Sequence, residues 1–415
     1  MSKIKKIPVG QLKVGSYVQL PLSWKDHPFL FSNFKIKQAA QLALIKKLPL
    51  DHVYINLEKC EDIEIEQDLP QPEAQEINDL SKSMHDEKAA RIEAFKKMRR
   101  SLTKTEKNFD RSIAKMRSLI TKLRSRPLTA VTEAQDLIHD ITNQLLSSDN
   151  LVLHLMGDAK NDEGIYYHSL NVAVLSMLVA KELKWSQEEI ENVGLAALFH
   201  DIGMLKVPSQ LLRKQTALTT AEINFMKQHP SMGADLAKLA ENFPEKALPL
   251  IQNHHEFLDG TGYPKGLKKD QLDPSSQLIA VINQYDELCH PNQNIKARTP
   301  YSALGYLFKN FKEQLNQEHV GQMIKMLGVY PPGSVVELSS GQFGIVMGVN
   351  LDKLLLPKIM VYDTMVPKEQ APIIDLESEN LSIVRCLPPA ALPEKIFKYL
   401  NPRERVNYFF GSESN

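Results

Sequence analysis

Cysteine is scarce in this chain. Cys60, Cys289 and Cys386 are the three in 415 residues. They are odd in number and far apart, which excludes a disulfide framework and a CxxC zinc site. An excess of charge of either sign is also missing: 50 Lys and Arg balance 50 Asp and Glu. No global pull toward nucleic acid or an anionic membrane follows, and any such attraction must be local. Long hydrophobic runs are absent too. The most apolar stretches, such as residues 170–180, are far too short to span a bilayer. The N-terminal MSKIKKIPVGQLKVG carries charge with no apolar run behind it, which is not the pattern of a signal peptide. A cytoplasmic protein is expected, with no nucleic acid as partner and no stable membrane insertion. What is present is ordinary for a soluble globular protein: 43% apolar and 24% charged residues. The length suggests two or three domains.

The pattern along the chain predicts a mainly α protein in four parts. Residues 1–70 read as a small N-terminal α/β module, with strand-like pieces at 17–20 and 52–57 and a helix at 36–47 between them. Its segment LSWKDHPFLFSNFKI gathers Trp24, Phe29, Phe31 and Phe34, as module core or as a docking or sensing surface. Residues 71–130 read as linker and long basic helix, and the acidic, proline-bearing linker stretch itself covers 62–75. From 76 to 126 there is no proline or glycine. Apolar residues recur at Leu80, Met84, Ile92, Phe95, Met98, Leu102, Phe109, Met116 and Leu123, close to a heptad seam. A solvated connector or a homodimer through residues 76–126 is expected. Residues 131–330 read as an almost wholly helical core holding the histidine clusters. Residues 331–415 form a β-rich extension with a hairpin turning at Ser339, Ser340 and Gly341.

The chemistry centres on His200 and Asp201. The run GLAALFHDIGML is apolar on nearly every side, and a buried ionised aspartate beside a histidine is costly without compensation. A divalent metal supplies it, since imidazole and carboxylate are natural ligands. His168 sits in another apolar helix, His229 lies just before Pro230, and His254 and His255 are adjacent. Neighbours on a helix point about 100° apart, so this pair is expected to address two ions. Singly, each histidine reads as a satisfied structural residue. Together, five histidines and an aspartate point to a metal centre.

The series H, HD, H, HH, ending in HHEFLDGTGYP, resembles the HD-GYP subgroup of the HD phosphohydrolase superfamily. The resemblance covers about residues 132–311. The N-terminal module and the GVYPPGSVVELSSGQFG segment resemble parts that accompany one branch, whose N-terminal domain has no known function. The resemblance implies an HD-type helical bundle and a cyclic di-GMP phosphodiesterase with two divalent metal ions, iron or manganese. A metal-bridging water or hydroxide attacks the phosphodiester in that family, giving pGpG or GMP. It implies His168, His200, Asp201, His229, His254, His255 and the position of Asn283 as ligands, with Asp201 bridging. Gly260, Gly262, Tyr263 and Pro264 are expected near the substrate. Diguanylate cyclase-type signalling proteins are expected as partners.

Two positions depart from the family pattern. Met204 stands where a lysine is thought to help hold the substrate phosphate, and Lys206 is expected to face elsewhere. Asn283 stands where the family has aspartate, and it is a neutral, weaker ligand. Asp286, three residues on, is expected to lie near the same helix face. Gly164 occupies the place of a further glutamate of trinuclear members, with Glu163 adjacent, so two ions at most are expected. The readings are thus a working phosphodiesterase with a weakened site, a degenerate module that binds cyclic di-GMP or proteins without turnover, and a phosphohydrolase of another nucleotide.

Overall fold

The computed structural model describes every residue except 1–3, 24–25, 30, 61–72, 124, 148–150, 157–163, 215, 292–295, 350–352, 365, 369–370, 372, 378, 380, 403–406 and 413–415. It opens with a small antiparallel sheet. Strands β1 (Ile4–Pro8), β2 (Tyr17–Gln19), β3 (Asn33–Lys35) and β4 (His52–Asn56) lie in the order β1-β4-β2-β3, with α1 (Ala39–Lys47) between β3 and β4. Ile7, Val18, Leu20, Ile36, Ile45 and Val53 fill the core beneath it. The sequence pattern over 17–20, 36–47 and 52–57 corresponds to β2, α1 and β4. The edge strands β1 and β3 carry too little periodicity to be read. Phe29 and Phe34 stack at 4.4 Å inside this core. Phe31 packs instead against the C-terminal sheet, so the aromatic segment fills the core of the module and also joins it to the second sheet. Trp24 and most of the expected acidic linker lie outside the described residues.

Helix α2 (Ala74–Leu123) runs unbroken for 50 residues, about 75 Å at 1.5 Å per residue. Its apolar seam is used at both ends by the chain itself. Ile77 and Met84 pack on the N-terminal core. Leu102, Phe109, Met116 and Leu123 join a large helical core. After a short turn α3 (Pro127–Leu146) packs back along α2, tied by Lys122 Nζ to Glu133 Oε1 at 2.6 Å.

The helical core continues through a short strand β5 (Leu151–Leu155) into α4 (Gly164–Glu182), α5 (Gln187–Phe199), α6 (Ser209–Leu212), α7 (Thr220–Met226), α8 (His229–Ala237), α9 (Leu248–Asn253), α10 (Pro274–Cys289), α11 (Pro300–Asn310) and α12 (Gln317–Leu327). Helix α4 is apolar all round and buried from Ser169 to Ala180, which makes it the central helix. Helix α5 starts on a reciprocal cap. Ser186 Oγ accepts from Glu189 N, and Glu189 Oε2 accepts from Ser186 N at 2.7 Å. Beyond its end Gly203 meets α8 so closely that an added Cβ would lie 1.8 Å from the His229 carbonyl oxygen. Only glycine lets the segment after Asp201 rest on the helix that carries His229.

A five-stranded antiparallel sheet follows: β6 (Val335–Leu338), β7 (Phe343–Gly348), β8 (Lys358–Val361), β9 (Ile373–Asp375) and β10 (Ile383–Leu387), ordered β10-β6-β7-β8-β9. The expected hairpin is β6–β7. Ser32 N donates to Asp363 Oδ2 at 3.2 Å, so the two sheets meet. After α13 (Glu394–Leu400), strand β11 (Tyr408–Ser412) returns to the helical core and pairs with β5, Tyr408 opposite Leu155. No helix among the described residues is long and apolar enough to cross a membrane.

Candidate metal centre

Four elements bring the predicted side chains together. His168 comes from α4, His200 and Asp201 from the end of α5, His229 from the start of α8, and His254 and His255 from just beyond α9. They form two groups sharing one carboxylate: His168, His200 and Asp201, and Asp201, His229, His254 and His255. Asp201 Oδ2 lies 3.5 Å from His168 Nε2 and 3.4 Å from His200 Nε2. Its Oδ1 lies 3.2 Å from His229 Nε2 and 3.8 Å from His254 Nε2. Each carboxylate oxygen therefore addresses a different group. His254 and His255 both fall in the second group, with ring centroids 4.2 Å apart. The expected division of this pair between two ions is not what the backbone gives, because both lie past the last helical residue.

The outer ring nitrogens explain which nitrogens face inward. His200 Nδ1 donates to Ala197 O at 2.7 Å, His229 Nδ1 to Met226 O at 2.8 Å and His254 Nδ1 to Ile251 O at 2.7 Å. A carbonyl can only accept, so in all three the Nε2 lone pair is left bare, the form a metal requires. His168 Nδ1 is bonded to Asp286 Oδ2 at 2.6 Å. The Nε2 atoms of His168 and His200 are 3.1 Å apart, and those of His229 and His254 3.2 Å. Two nitrogens each about 2.1 Å from one ion, at the usual ligand angles, are about 3.0–3.4 Å apart. The donor set fits divalent cations.

Electrostatics agree with that fit. Burial, then the neighbouring His255, holds His254 well below the ordinary histidine value, and burial, then His229, does the same for His255. Burial also opposes charge on His168, but Asp286, then Asp201 and Glu287, outweigh it and carry the group up to about 9. Burial would raise Asp201, yet His200 and His229 hold its carboxyl well below the usual range. Asp201 is the ionised member of the cluster, and burial keeps His254 and His255 neutral beside it.

Helix α10 contributes what the sequence pattern hid. Asp286 is buried and engaged by His168, by Asn171 Nδ2 and by His290 Nδ1 at 3.1 Å. It orients His168 and belongs to neither of the two groups, so it does not substitute for Asn283 there. Asn171 Oδ1 in turn accepts from Tyr408 N at 2.7 Å. Asn283 donates through Nδ2 to Glu287 Oε1 at 3.2 Å, and its own buried Oδ1 has no protein partner. Glu287 Oε1 lies 4.0 Å from His255 Nε2, with 39% of its side chain exposed. Its spacing four residues after Asn283 is the signal that could have found it.

The HHEFLDGTGYP loop is held by its own polar residues. The buried Glu256 carboxylate accepts from Lys265 N at 2.6 Å and Leu267 N at 2.9 Å. Asp259 Oδ1 accepts from Thr261 N at 2.9 Å. At Gly262 an added Cβ would lie 2.4 Å from Phe257 N, so Gly262 serves the turn, as does Gly260. Tyr263, which precedes Pro264, stacks on His255 at 4.5 Å. Lys227 Nζ sits 5.4 Å from the Tyr263 ring centre. Met204 and the exposed Lys206 share a short 3-10 turn after Asp201. Glu163 lies outside the described residues.

Residues 136–319 match the HD domain family and residues 4–134 a domain of unknown function, DUF3391. Fold and site thus define an HD-domain protein of the hydrolase class, with a DUF3391 domain preceding the HD domain. A cyclic di-GMP phosphodiesterase of Pseudomonas aeruginosa is 28% identical over 377 residues, 90% of this chain and 89% of the relative. The cyclic di-GMP phosphodiesterase response regulator RpfG of Xanthomonas campestris is 36% identical over 132 residues, 32% of this chain and 35% of the relative. A solved "HDG"Y"P" protein of Bdellovibrio bacteriovorus, 16% identical, covers 77% of this chain and 98% of its own, with a TM-score of 0.43.

Proposed function

We propose that this protein is a metal-dependent phosphodiesterase that hydrolyses cyclic di-GMP to pGpG or GMP in the bacterial cytoplasm. The observation that carries this reading is the pair of ligand groups sharing Asp201, with three histidines locked so that Nε2 faces inward. His168 and His200 would hold one divalent ion and His229, His254 and His255 the other, with the Asp201 carboxylate shared between the two groups. Iron or manganese suits such a nitrogen-rich set. When bound, the ions supply an activated water and the Lewis acidity that a phosphodiester needs.

The chain's own residues do the rest. Asp286 fixes the ring of His168. Glu287 supplies, beside Asn283, the second carboxylate that the asparagine lacks. Tyr263, backed by His255, offers its ring to a guanine, and Lys227 offers a cation to a substrate phosphate in place of Met204. Curated relatives named as cyclic di-GMP phosphodiesterases support the substrate. Diguanylate cyclase-type proteins, which make the substrate, are the partner class this reading implies.

The test is anaerobic loading with iron or manganese and chromatography of the products. Cyclic di-GMP is expected to yield pGpG or GMP, and His200→Ala or Asp201→Ala to lose both bound metal and turnover. Full metal content and activity in either variant would overturn the assignment. Binding of the dinucleotide without turnover in the loaded natural protein would leave a binding module instead.

A further inference from the structure

The N-terminal and C-terminal sheets enclose a cavity of about 710 Å³ where they meet. None of the residues lining it belongs to the metal centre. One side is aromatic: Tyr17, Phe31 and the Phe29–Phe34 stack. The other is polar and basic. Lys35, Lys37 and Lys59 line it against Glu379 as the acidic member, a local positive excess in a chain of zero net charge. Lys59 Nζ sits 5.1 Å from the Tyr17 ring centre and donates to Ser340 O, so a cation is held where the aromatic and C-terminal sides join. Gln342, on the hairpin between β6 and β7, lines the cavity too. Its Oε1 accepts from Ser340 Oγ at 2.8 Å, while its buried Nε2 has no protein partner. A buried amide donor left unpaired is unfavourable, and an acceptor on a ligand would relieve it.

Size and lining specify the ligand class. Small-molecule sites are typically about 300–1,000 Å³, favour interfaces between modules, and combine apolar walls with a few convergent polar groups. Aromatic rings take a planar face, lysines take an anion, and an orphan amide donor takes an acceptor. A nucleotide carries all three: a base to stack, a phosphate for the lysines, and exocyclic or ribose oxygens for Gln342. We propose that this cavity is a nucleotide-binding site distinct from the metal centre. Its occupant bridges the two sheets and touches α2 at Met84, the helix whose other end is packed into the HD core.

The experiment uses the full chain. GMP and AMP contain no phosphodiester linkage to hydrolyse, so their binding can be titrated whether or not the phosphodiesterase reading holds. One of them is expected to bind saturably, at least tenfold tighter than guanosine or inorganic phosphate, and to slow amide exchange in both residues 31–37 and 339–342. Lys37→Gln, at an exposed position, and Gln342→Leu are each expected to weaken binding at least fivefold. Hydrolysis measured without added mononucleotide should stay unchanged. Phe34→Ala should also weaken binding, and the two polar variants keep the test valid if that protein fails to fold. The proposal is overturned if neither nucleotide saturates by several millimolar, if inorganic phosphate binds as tightly as the nucleotide, or if binding is untouched in Lys37→Gln and Gln342→Leu.

Discussion

At the residue scale, the clustered histidines are legible because they stand in local runs: HD inside an apolar helix, HH opening a glycine-rich loop. What could not be read was which neighbours they face, since that depends on how α10 lies against α4. Asp286 shares the helix face of Asn283 by its spacing, yet its carboxylate is engaged by His168, Asn171 and His290. Asp286→Asn keeps the shape and removes the charge that orients His168. Partners of this kind are worth about 10–100-fold in metal affinity, and chelator competition should show a loss in that range with the fold intact by circular dichroism. Asn283→Asp makes a different prediction. It sets a second carboxylate where an amide now donates to Glu287 at 3.2 Å. Like charges at that range repel when no cation is present and share one when it is. The rise in Tm on adding manganese should therefore be larger in Asn283→Asp than in the natural protein. Equal shifts would mean that residue 283 does not face the ions.

At the scale of elements, helices were the most legible because their periodicity is local. Helix α2 was expected over residues 76–126 and spans Ala74–Leu123. Its role was harder to see, because a heptad seam looks the same whether a second copy or the chain's own core covers it. Strand β5 could not be read at all. It is five residues in a helical stretch, and its partner is β11, almost at the other end of the sequence. That strand carries weight. Tyr408, Phe409 and Phe410 are buried in the helical core, and Phe409 meets Phe109 of α2 edge-on at 5.7 Å. Phe409→Ala should cost about 3–5 kcal/mol, measured by urea unfolding of the helical signal. Tyr408 also feeds the chain of bonds through Asn171 to Asp286 and His168, so Phe409→Ala should weaken metal binding by more than a distant core substitution of equal cost.

At the scale of the whole molecule, the use of the α2 seam bears on self-association. Phe109, Met116 and Leu119 are 2% or less exposed within one chain. The isolated fragment 76–126 should associate once stripped of these partners, whereas the full chain should sediment as a monomer at micromolar concentration. A full-chain dimer would place the contact on the middle of α2, between its two packed ends. The pairing of β5 with β11 has a consequence in time. Ribosomes add about 5–20 residues per second, so the backbone edge of β5 waits on the order of ten to fifty seconds for its complement to be made. Throughout that interval the hydrolase core is an open sheet edge, a template for any passing strand. Only synthesis of residues 408–412, after both halves of the inter-sheet cavity, finishes the core. A nascent chain of this protein cannot complete its catalytic domain before its N- and C-terminal modules exist.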